Sequence, residues 1–209
     1  MVTSKNPENS GPGKPPGRRE QRKQEVRNAV FGAAMALMEE KGYDSVTVDD
    51  IVRTAGVAKG TFFNYYPSKA DLVADWYTRL VDETLRSYRP RKRQGLAARL
   101  AHLAQAANQL SRESPALWRA KNELALTTPA IQAAERAGDA AVTVFSRRII
   151  EEAVVAGEVR PDTNVQAFAE TYTSLVTGVV RQWLAGEQGS SLEALLRRRV
   201  ESLCQLAQA

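Results

Sequence analysis

The sequence predicts an all-α protein of about nine helices. Apolar residues recur at the three- and four-residue spacing of a helix face along most of the chain, and capping residues and breakers divide it into segments of helical length. No strand-like alternation persists beyond Gln94. The 209 residues suffice for one small and one medium domain with a substantial core, so the chain needs no disulfide or metal to fold.

The amino-terminal segment predicts a disordered basic arm over residues 1–20. Its beginning is rich in Pro, Gly, Asn, Ser and Lys, a composition that buries too little apolar surface to fold. Gly17-Arg18-Arg19 and then Arg22-Lys23 lie next to a first helix that runs from about Arg22 to Lys41. The arm either reaches DNA phosphates or a minor groove, or is a solvated tail, and the sequence leaves both interpretations open.

The segment over residues 47–72 carries helix starts and stops at close intervals. A hydroxyl followed three residues later by a carboxylate marks a helix start, at Thr47 with Asp50 and again at Ser68 with Asp71. Gly56 suits the left-handed end of the first of these helices, and Pro67 limits the second to barely two turns. Two short helices joined by a glycine turn are typical of a helix-turn-helix DNA reader.

The second of these helices, over residues 58–66, carries side chains suited to nucleic acid. On its first turns stand a cation, a glycine that permits close approach, a hydroxyl and an amide able to pair with adenine, with two aromatic rings that can touch a thymine methyl or a sugar. The residues assigned to the groove are Lys59, Gly60, Thr61, Phe63, Asn64 and Tyr65, and those assigned to phosphates are Thr47 and Lys69. Phe62 and Tyr66, four residues apart, are assigned to the core side.

The same part of the chain carries a specific combination of motifs: Gly42-Tyr43, Val46-Thr47-Val48, Ile51, Ala55-Gly56-Val57, Lys59-Gly60-Thr61, Phe63, Tyr66 and Ser68-Lys69-Ala70-Asp71-Leu72. In this combination, residues 22–72 closely resemble the TetR family of bacterial transcriptional regulators. Many members of that family carry tyrosine where this chain has Phe63, so the hydroxyl that would make one polar DNA contact is absent here. The rest of the chain resembles the family in length and helical layout only.

Beyond the basic run over residues 89–93, which we interpret as a solvated joint, five further helices are expected. Their predicted bounds are Leu96 to Ser111, Pro115 to Leu126, Pro129 to Ala156, Val165 to Ala185 and Leu192 to Leu206. With the four helices before them they make nine, the number that the resemblance implies. The predicted domains are the arm (1–20), the helix-turn-helix domain (21–70) and an effector-binding and dimerisation domain (71–209).

Two apolar stripes near the carboxy terminus are too wide for simple surface helices. We expect the chain's own core to cover part of them and a second copy to cover the remainder in an isologous four-helix interface. The resemblance implies the same homodimer, and its two-fold symmetry would match a palindromic operator; an ordinary monomer core is the alternative. The residues assigned to this interface are Phe168, Leu175, Val179, Trp183, Leu192, Leu195, Leu196 and Leu203.

The resemblance also implies a small-molecule effector bound among the helices of the larger domain. Aromatic, apolar and amide side chains on these helices are candidates to line its pocket, with His102 as a candidate polar anchor, although the same pattern fits ordinary core residues. A structural or solvent-facing role is the alternative for His102. The pocket candidates are Trp76, His102, Leu103, Trp118, Asn122, Phe145, Ile149, Tyr172 and Val176.

Charge is distributed unevenly along the chain. Residues up to Arg93 hold 17 Lys or Arg against 12 Asp or Glu, whereas the later residues hold 12 of each, so the whole net charge of +5 lies in the amino-terminal part. Such asymmetry indicates a nucleic-acid-facing module joined to a neutral one, although chance scatter gives the same result. The lone Cys204 excludes an internal disulfide, and neither a signal peptide nor an apolar run of membrane length stands out. We therefore expect a cytoplasmic protein with no membrane partner.

The residue inventory argues against catalysis. One His and one Cys cannot assemble a His-rich or Cys-rich metal site, and neighbouring acids such as Glu39-Glu40 diverge on a helix. We expect no enzyme activity, no cofactor and no metal. The expected function is that of a dimeric repressor that binds a palindromic operator in double-stranded DNA and is released by a small-molecule effector. A ligand-independent or activating DNA-binding regulator, or a structural helical interaction protein, is the alternative.

Overall fold

The computed structural model describes residues 17–89, 94–112, 114–184, 186 and 191–207. Within these ranges the chain is all-α, as the sequence predicts. The described helices are α1 (Arg18–Lys41), α2 (Val48–Ala55), α3 (Lys59–Phe63), α4 (Lys69–Ser87), α5 (Leu96–Arg112), α6 (Pro115–Leu124), α7 (Pro129–Val155), α8 (Val165–Leu184) and α9 (Leu192–Gln205). Most of the predicted arm, residues 1–16, and residues 90–93 of the predicted basic joint lie outside the described ranges.

Two helices differ from their predicted bounds by more than two residues at one end. Helix α1 begins at Arg18, one turn earlier than predicted, so the end of the predicted arm is helical. Helix α3 has 5 residues, whereas barely two turns over residues 58–66 were predicted. After Phe63 the backbone tightens into a turn in which the Tyr65 and Tyr66 N–H groups both donate to the Phe62 carbonyl, at 2.9 and 3.0 Å. Pro67 directly follows and prevents the helix from resuming.

Local caps fix the geometry of the helix-turn-helix. Thr47 and Asp50 form a reciprocal capping box at the start of α2, and Ser68 and Asp71 form a second one at the start of α4, which confirms both predicted starts. Hydrogen bonds from the side chain and the backbone N–H of Thr47 lower the pKa of Asp50 to about 2, so its carboxylate stays charged in its cap. Gly56 ends α2 in the left-handed conformation at φ +67°, which a residue with a Cβ rarely adopts.

The core of the described residues forms three clusters, of which two contain residues of α4 or its carboxy-terminal end. Its first part joins α1 to α4 and extends to Leu117 and Trp118 of α6 and Ile131 of α7. Its second part joins the end of α4 to α5, α7, α8 and α9 around Tyr172, which is fully buried. Helix α4 therefore packs in both parts and connects them mechanically.

One glycine allows α4 and α7 to pack closely. A Cβ built on Gly138 of α7 would lie 3.2 Å from Cε1 of Tyr77 and 3.2 Å from Cγ2 of Val81, both on α4. Real Cβ contacts are seldom this short, so with alanine at this position the Tyr77 and Val81 side chains would have to move by a few tenths of an ångström. The lack of a side chain on Gly138 therefore leaves room for these two side chains of α4.

Candidate functional site

The short helix α3 presents one face to solvent and one to the core. Lys59, Gly60 and Asn64 are exposed, and Phe63 keeps 48% of its surface accessible although it is a large apolar residue. No other described atom lies within 4 Å of the position of a Cβ on Gly60, apart from its own chain neighbours and helix backbone, so the surface there is open. An exposed aromatic ring beside a cation and an amide is the pattern expected of a nucleic-acid contact surface.

The opposite face of α3 anchors it. Phe62 is fully buried and Tyr66 is 2% exposed, as the four-residue spacing predicts. The Phe62 ring meets the Phe63 ring edge-on at 5.2 Å between centroids, so the buried residue supports the exposed one. Tyr65 also packs partly against this core, which leaves less of its ring free than the sequence suggests. The exposed surface of α3 is therefore carried by residues 59–60 and 63–64, with Thr61 and Tyr65 half-buried beside it.

Lys59 is held by an ion pair on the exposed surface. Its Nζ atom lies 2.9 Å from a carboxylate oxygen of Asp49 on α2, and both side chains remain more than half exposed. A surface pair of this kind contributes at most about 1 kcal/mol and weakens with salt. The Lys59 ammonium can therefore move from Asp49 to an anion that binds it more tightly, with only a small loss in the free energy of unfolding.

The two residues assigned to phosphates also have structural partners within the chain. Thr47 uses its hydroxyl in the capping box with Asp50. Lys69 is half-buried, and its Nζ atom donates to the backbone carbonyls of Tyr43 and Val46, each at 2.7 Å. Burial lowers the pKa of Lys69, and nearby Asp44 partly offsets this. Lys69 thus ties α4 to the turn before α2 and keeps one of its three N–H groups for other contacts.

Asp75 of α4 binds the turn that follows α3. The sequence did not predict this contact. Its carboxylate accepts hydrogen bonds from the Tyr66 hydroxyl at 2.7 Å, from Arg27 of α1 at 3.2 Å and from Arg79 at 3.1 Å. Burial opposes ionisation of Asp75, but the hydrogen bonds from Arg79 and Tyr66 outweigh it and lower its pKa. Burial and the bond to Asp75 also raise the pKa of Tyr66 to about 12. These contacts form a hub that fixes the turn after α3 against α4. Its members are Asp75, Tyr66, Arg27 and Arg79.

A cavity of about 90 Å³ lies between α4, α6, α7 and α8. Most of its wall is apolar, with Leu80 and Val81 on α4 and Val142, Val176 and Val180 on the two later helices. Mostly apolar walls with a few polar groups are typical of small-molecule sites. The Gly138 contact described above positions the Tyr77 ring, which also lines this cavity.

Three of the nine predicted pocket residues line this cavity: Trp118, Asn122 and Val176. Four others are buried in the core: Trp76, Leu103, Ile149 and Tyr172, whose hydroxyl donates to the Leu100 carbonyl at 2.9 Å. Phe145 and His102 both pack on the ring of Tyr88, at 5.3 and 5.5 Å between centroids. The six residues outside this cavity pack in the core or on the ring of Tyr88, and their assignment to an effector pocket stays a prediction.

The cavity also holds charged residues that the sequence reasoning missed. Lys121 is only 3% exposed; its ammonium pairs with Glu135 and lies 4.5 Å from the centroid of the Tyr77 ring. Burial lowers the pKa of Lys121, and Glu135 partly opposes that shift. Asp139 accepts one bond, from the Thr177 hydroxyl at 3.3 Å, and burial raises its pKa. The available signal was a charge on an otherwise apolar helix face, because Lys121 follows Leu117 and Trp118 at helical spacing.

The chain itself covers half of the predicted dimer interface. Phe168, Val179, Leu192 and Leu196 are each less than 9% exposed, because α8 packs between α7 and α9 and uses these side chains as core. Leu175, Trp183, Leu195 and Leu203 are half-buried. The outer face of α8 instead exposes a row of small residues at spacings of four, three and four: Ala167, Thr171, Ser174 and Gly178. This row is thus the exposed part of α8, and the residues of a dimer interface stay a prediction.

Comparison with known families gives a match in each of two separate segments of the chain. Residues 30–75 match the family model of bacterial regulatory proteins of the tetR family, and residues 95–208 match the model of the MftR C-terminal domain. The chain therefore belongs to the TetR family of bacterial regulatory proteins. Within that family, its larger domain is of the MftR type, since that model matches more than half of the chain. The relatives are transcriptional regulators and not enzymes.

Curated relatives match the two parts to different extents. MftR of Mycobacterium tuberculosis, a provisionally assigned regulator of mycofactocin biosynthesis, is 30% identical over 173 residues, which cover 79% of this chain and 83% of that protein. YvdT of Bacillus subtilis is 39% identical over 56 residues, and AcuR of Cereibacter sphaeroides is 44% identical over 43 residues. These two shorter matches cover 27% and 21% of this chain and span only 29% and 20% of the respective relatives.

Solved structures share the fold. The TetR-family repressor FadR of Thermus thermophilus, in complex with lauroyl-CoA, has a TM-score of 0.66 and 24% identity, with 85% of this chain and 92% of that chain covered. FadR of Bacillus subtilis, in complex with stearoyl-CoA, has a TM-score of 0.65 and 19% identity, with 85% and 97% covered. At these identities the likeness shows the fold alone. Among the described residues, no helix combines the length and apolar character needed to cross a bilayer.

Proposed function

We propose that this chain is a dimeric transcriptional repressor that binds a palindromic operator and leaves it when a small molecule occupies the cavity between α4, α6, α7 and α8. The observation that carries the proposal is the exposed surface of α3, where Phe63 is 48% exposed next to Lys59 and Asn64 while Phe62 and Tyr66 hold the helix from below. A single exposed apolar side chain is common on protein surfaces, so the support comes from the combination of this ring with a cation and an amide on the second helix of a helix-turn-helix.

On DNA, the residues of α3 divide into two roles. Phe63 and Asn64 contact base edges and sugars in the major groove, with Thr61 and Tyr65 beside them, and Gly60 lets the backbone approach. Lys59 exchanges Asp49 for a phosphate, an exchange that weakens with salt because phosphate contacts release bound cations. Lys69 and Thr47 position α4 and α2, and Lys69 has one N–H left for a phosphate. This assignment keeps every predicted DNA residue but moves these last two toward positioning.

Two copies associate through the outer face of α8 and the adjacent α9. Small residues at heptad-like spacing, Ala167, Thr171, Ser174 and Gly178, allow the α8 helices of two chains to approach closely. The half-buried side chains Trp183 and Leu195 then become covered at the edge of the contact. The dimer places two α3 helices on one face for the two half-sites of an operator.

Helix α4 couples the two sites. In its first half, Asp75 holds Tyr66 in the turn after α3. Within about the next two and a half turns, Tyr77, Val81 and Thr84 line the cavity. A ligand that displaces this segment moves the two α3 helices away from the spacing of the operator half-sites. The free energy by which it shifts this equilibrium equals the difference between its binding free energies for the two states. The two FadR complexes with acyl-CoA support a small-molecule effector in this fold.

Selection of duplexes by the protein tests this function. The wild type should enrich a palindromic motif from a random duplex library, and its affinity for that motif should fall steeply with salt. Asn64→Ala should relax the preference at single base pairs, whereas an exposed α1 variant, Ala29→Leu, serves as the matched control. Recovery of no motif, or of a motif that the wild type and Asn64→Ala bind alike, would refute the role of α3.

Sedimentation equilibrium at micromolar concentration tests the dimer. The wild type should sediment with twice the chain mass, and Ser174→Arg should sediment as a monomer because the new side chain occupies the close approach of the two α8 helices. The control Ala29→Arg adds the same charge to the outer face of α1 and should remain dimeric. A monomeric wild type, or a dimeric Ser174→Arg, would contradict this interface.

Gly138 offers a test of the coupling. Gly138→Ala adds a methyl group that meets Tyr77 and Val81 at 3.2 Å and should displace α4, with a change in operator affinity of about threefold or more. Gly32→Ala makes the same replacement in α1, where nothing lies within 4 Å of the new Cβ, and should leave DNA binding unchanged. Equal operator affinities for the two variants would show that α4 does not carry the signal.

A further inference from the structure

Two residues that line the cavity carry buried hydrogen-bond donors with no partner among the described residues. The Trp118 Nε1–H and Asn122 Nδ2–H groups, four residues apart on one face of α6, have no acceptor among the residues that the structure describes. Trp118 is 8% exposed, and both residues line the cavity. Buried donors are almost always paired in folded proteins, so two unpaired donors on adjacent turns of one helix indicate an acceptor that the chain does not provide.

A third polar group of the cavity, the Asp139 carboxylate, lacks donors rather than acceptors. Asp139 of α7 receives only the 3.3 Å bond from Thr177 and forms no ion pair among the described residues. A carboxylate has about four acceptor sites, so most of the capacity of Asp139 is unused. An N–H or O–H group entering the cavity would find its acceptor there.

The charges around the cavity balance. Lys121 is paired with Glu135, and Arg181 lies 3.7 Å from the same carboxylate, while Asp139 is the second acid. Two cations and two carboxylates leave no net charge to attract an ion. A carboxylate ligand would approach Asp139 at a cost, and an ammonium ligand would approach Lys121 and leave both α6 donors unpaired.

We propose that the cavity recognises a neutral, compact and mostly apolar molecule with an amide-like head, whose carbonyl accepts from Trp118 and Asn122 and whose N–H group donates to Asp139. This inference rests on the proposed effector role of the cavity and adds the chemical class of the effector. The apolar walls, with Leu80, Val142 and Val180, enclose the body of the molecule. Its head satisfies at once the three polar groups that the chain leaves under-used.

Three probes that share one ring separate the head groups: benzamide, benzoate and benzylamine. Calorimetric titration of the full-length protein without DNA should give benzamide a dissociation constant at least tenfold lower than either ion. Trp118→Phe keeps the aromatic volume but removes the N–H, and it should weaken benzamide at least fivefold. Trp76→Phe makes the same change in the ring that packs edge-on against Trp118 at 5.7 Å but does not line the cavity, and it should stay within twofold of the wild type.

Asp139→Asn provides a second measurement that does not depend on Trp118. An asparagine can donate as well as accept, so this variant should lose at least half of the preference for benzamide over benzoate, on a logarithmic scale. Tightest binding of benzoate or benzylamine, binding of none of the three, or unchanged benzamide affinity in Trp118→Phe would overturn the inference. Operator binding is measured separately, so a protein that binds DNA but no probe refutes only this inference, and one that binds benzamide but no DNA refutes only the proposed function.

Discussion

The exposed surface of α2 and α3, here called the reading surface, differs from the cavity in the burial of its charged side chains. On α2 and α3, the pair of Lys59 with Asp49 lies in solvent, with both side chains more than half exposed. Around the cavity, Lys121 is 3% exposed and its partner Glu135 is 17% exposed. An exposed pair is weak and exchangeable, whereas a buried pair is costly to separate once formed. The first arrangement suits contact with a polyanion, and the second suits recognition of a small molecule without charge.

The two regions also differ in how they are held. The reading unit depends on short-range features, namely two capping boxes, the left-handed Gly56 and the turn after Phe63. The cavity depends on contacts between residues distant in the chain, such as Tyr77 with Gly138 and Lys121 with Glu135. Substitutions in the two regions should therefore have different effects. Those at the reading surface should reduce DNA binding or disrupt the local fold. Those around the cavity should reduce global stability and the response to ligand.

Neighbouring rings in α3 give the largest expected contrast. Phe62→Ala empties a fully buried site and should lower the free energy of unfolding by about 3–5 kcal/mol. Phe63→Ala removes a half-exposed ring and should change it by less than about 1 kcal/mol while reducing operator affinity about tenfold or more. Urea denaturation and operator titration, performed on both variants, measure the two effects. Comparable losses of stability in both would show that the exposed ring belongs to the fold.

Breaking the buried pair should have the next largest effect. Glu135→Gln keeps the size of the side chain but leaves the Lys121 ammonium with a neutral partner, which should cost about 3 kcal/mol of stability near pH 7. The pKa of Lys121 is already lowered by burial and should fall further in this variant. Because the folded state then binds fewer protons than the unfolded state, the stability of the variant should rise with pH between the folded pKa and the ordinary lysine value.

The control for this prediction is Glu123→Gln, on the exposed side of the same helix as Lys121. It should change stability by less than about 0.5 kcal/mol at every pH. Urea denaturation from pH 7 to pH 10 compares the two variants with the wild type. A Glu135→Gln protein as stable as the control, or one whose deficit stays constant across this range, would show that Lys121 does not depend on its partner.

The sequence predicted the reading region in more detail than the cavity, for a physical reason. Capping boxes at Thr47 and Ser68 and the glycine turn are local, so residue type and spacing suffice to predict them. The outward Phe63 and inward Phe62 follow from helical periodicity in the same way. The fold brings Lys121 of α6 close to Glu135 and Asp139 of α7. The sequence of neither helix indicates that the other will pack beside it. Half of the predicted dimer residues proved to be core because a wide apolar stripe does not say which neighbour covers it.

Asp75 links the two regions and should show an intermediate effect. Asp75→Asn keeps the shape but removes the ionic part of the bonds from Arg27 and Arg79, whose side chains are 40% and 38% exposed, so the loss should be about 1–2 kcal/mol. The folded-state pKa of Asp75 is lowered, so its contribution is complete above the ordinary aspartate value and disappears as the pH falls through the folded pKa. The wild type and the variant should therefore converge in stability in acid.

Tyr66→Phe separates the two parts of this hub. It removes the 2.7 Å bond to Asp75 but keeps both arginines, and should cost about 1 kcal/mol or less near pH 7. Because this bond helps to lower the pKa of Asp75, the cost should shrink as the pH falls through the folded pKa. Denaturation curves from pH 2 to pH 7 measure both variants. If Asp75→Asn kept a constant deficit down to pH 2, the ionised carboxylate would not be the source of its stabilising effect.

The smallest expected effects concern the exposed pair at the reading surface. Asp49→Asn should change stability by less than about 0.5 kcal/mol, because surface pairs contribute little, but should tighten operator binding about threefold at low salt by releasing Lys59. Lys59→Ala should weaken binding to all sequences and flatten the dependence of log affinity on log salt by about one unit. In the Lys59→Ala background, Asp49→Asn should lose most of its benefit if it acts through Lys59. A full benefit there would assign Asp49 a direct repulsion of phosphate instead, and would place the carboxylate, rather than the ion pair, at the DNA surface.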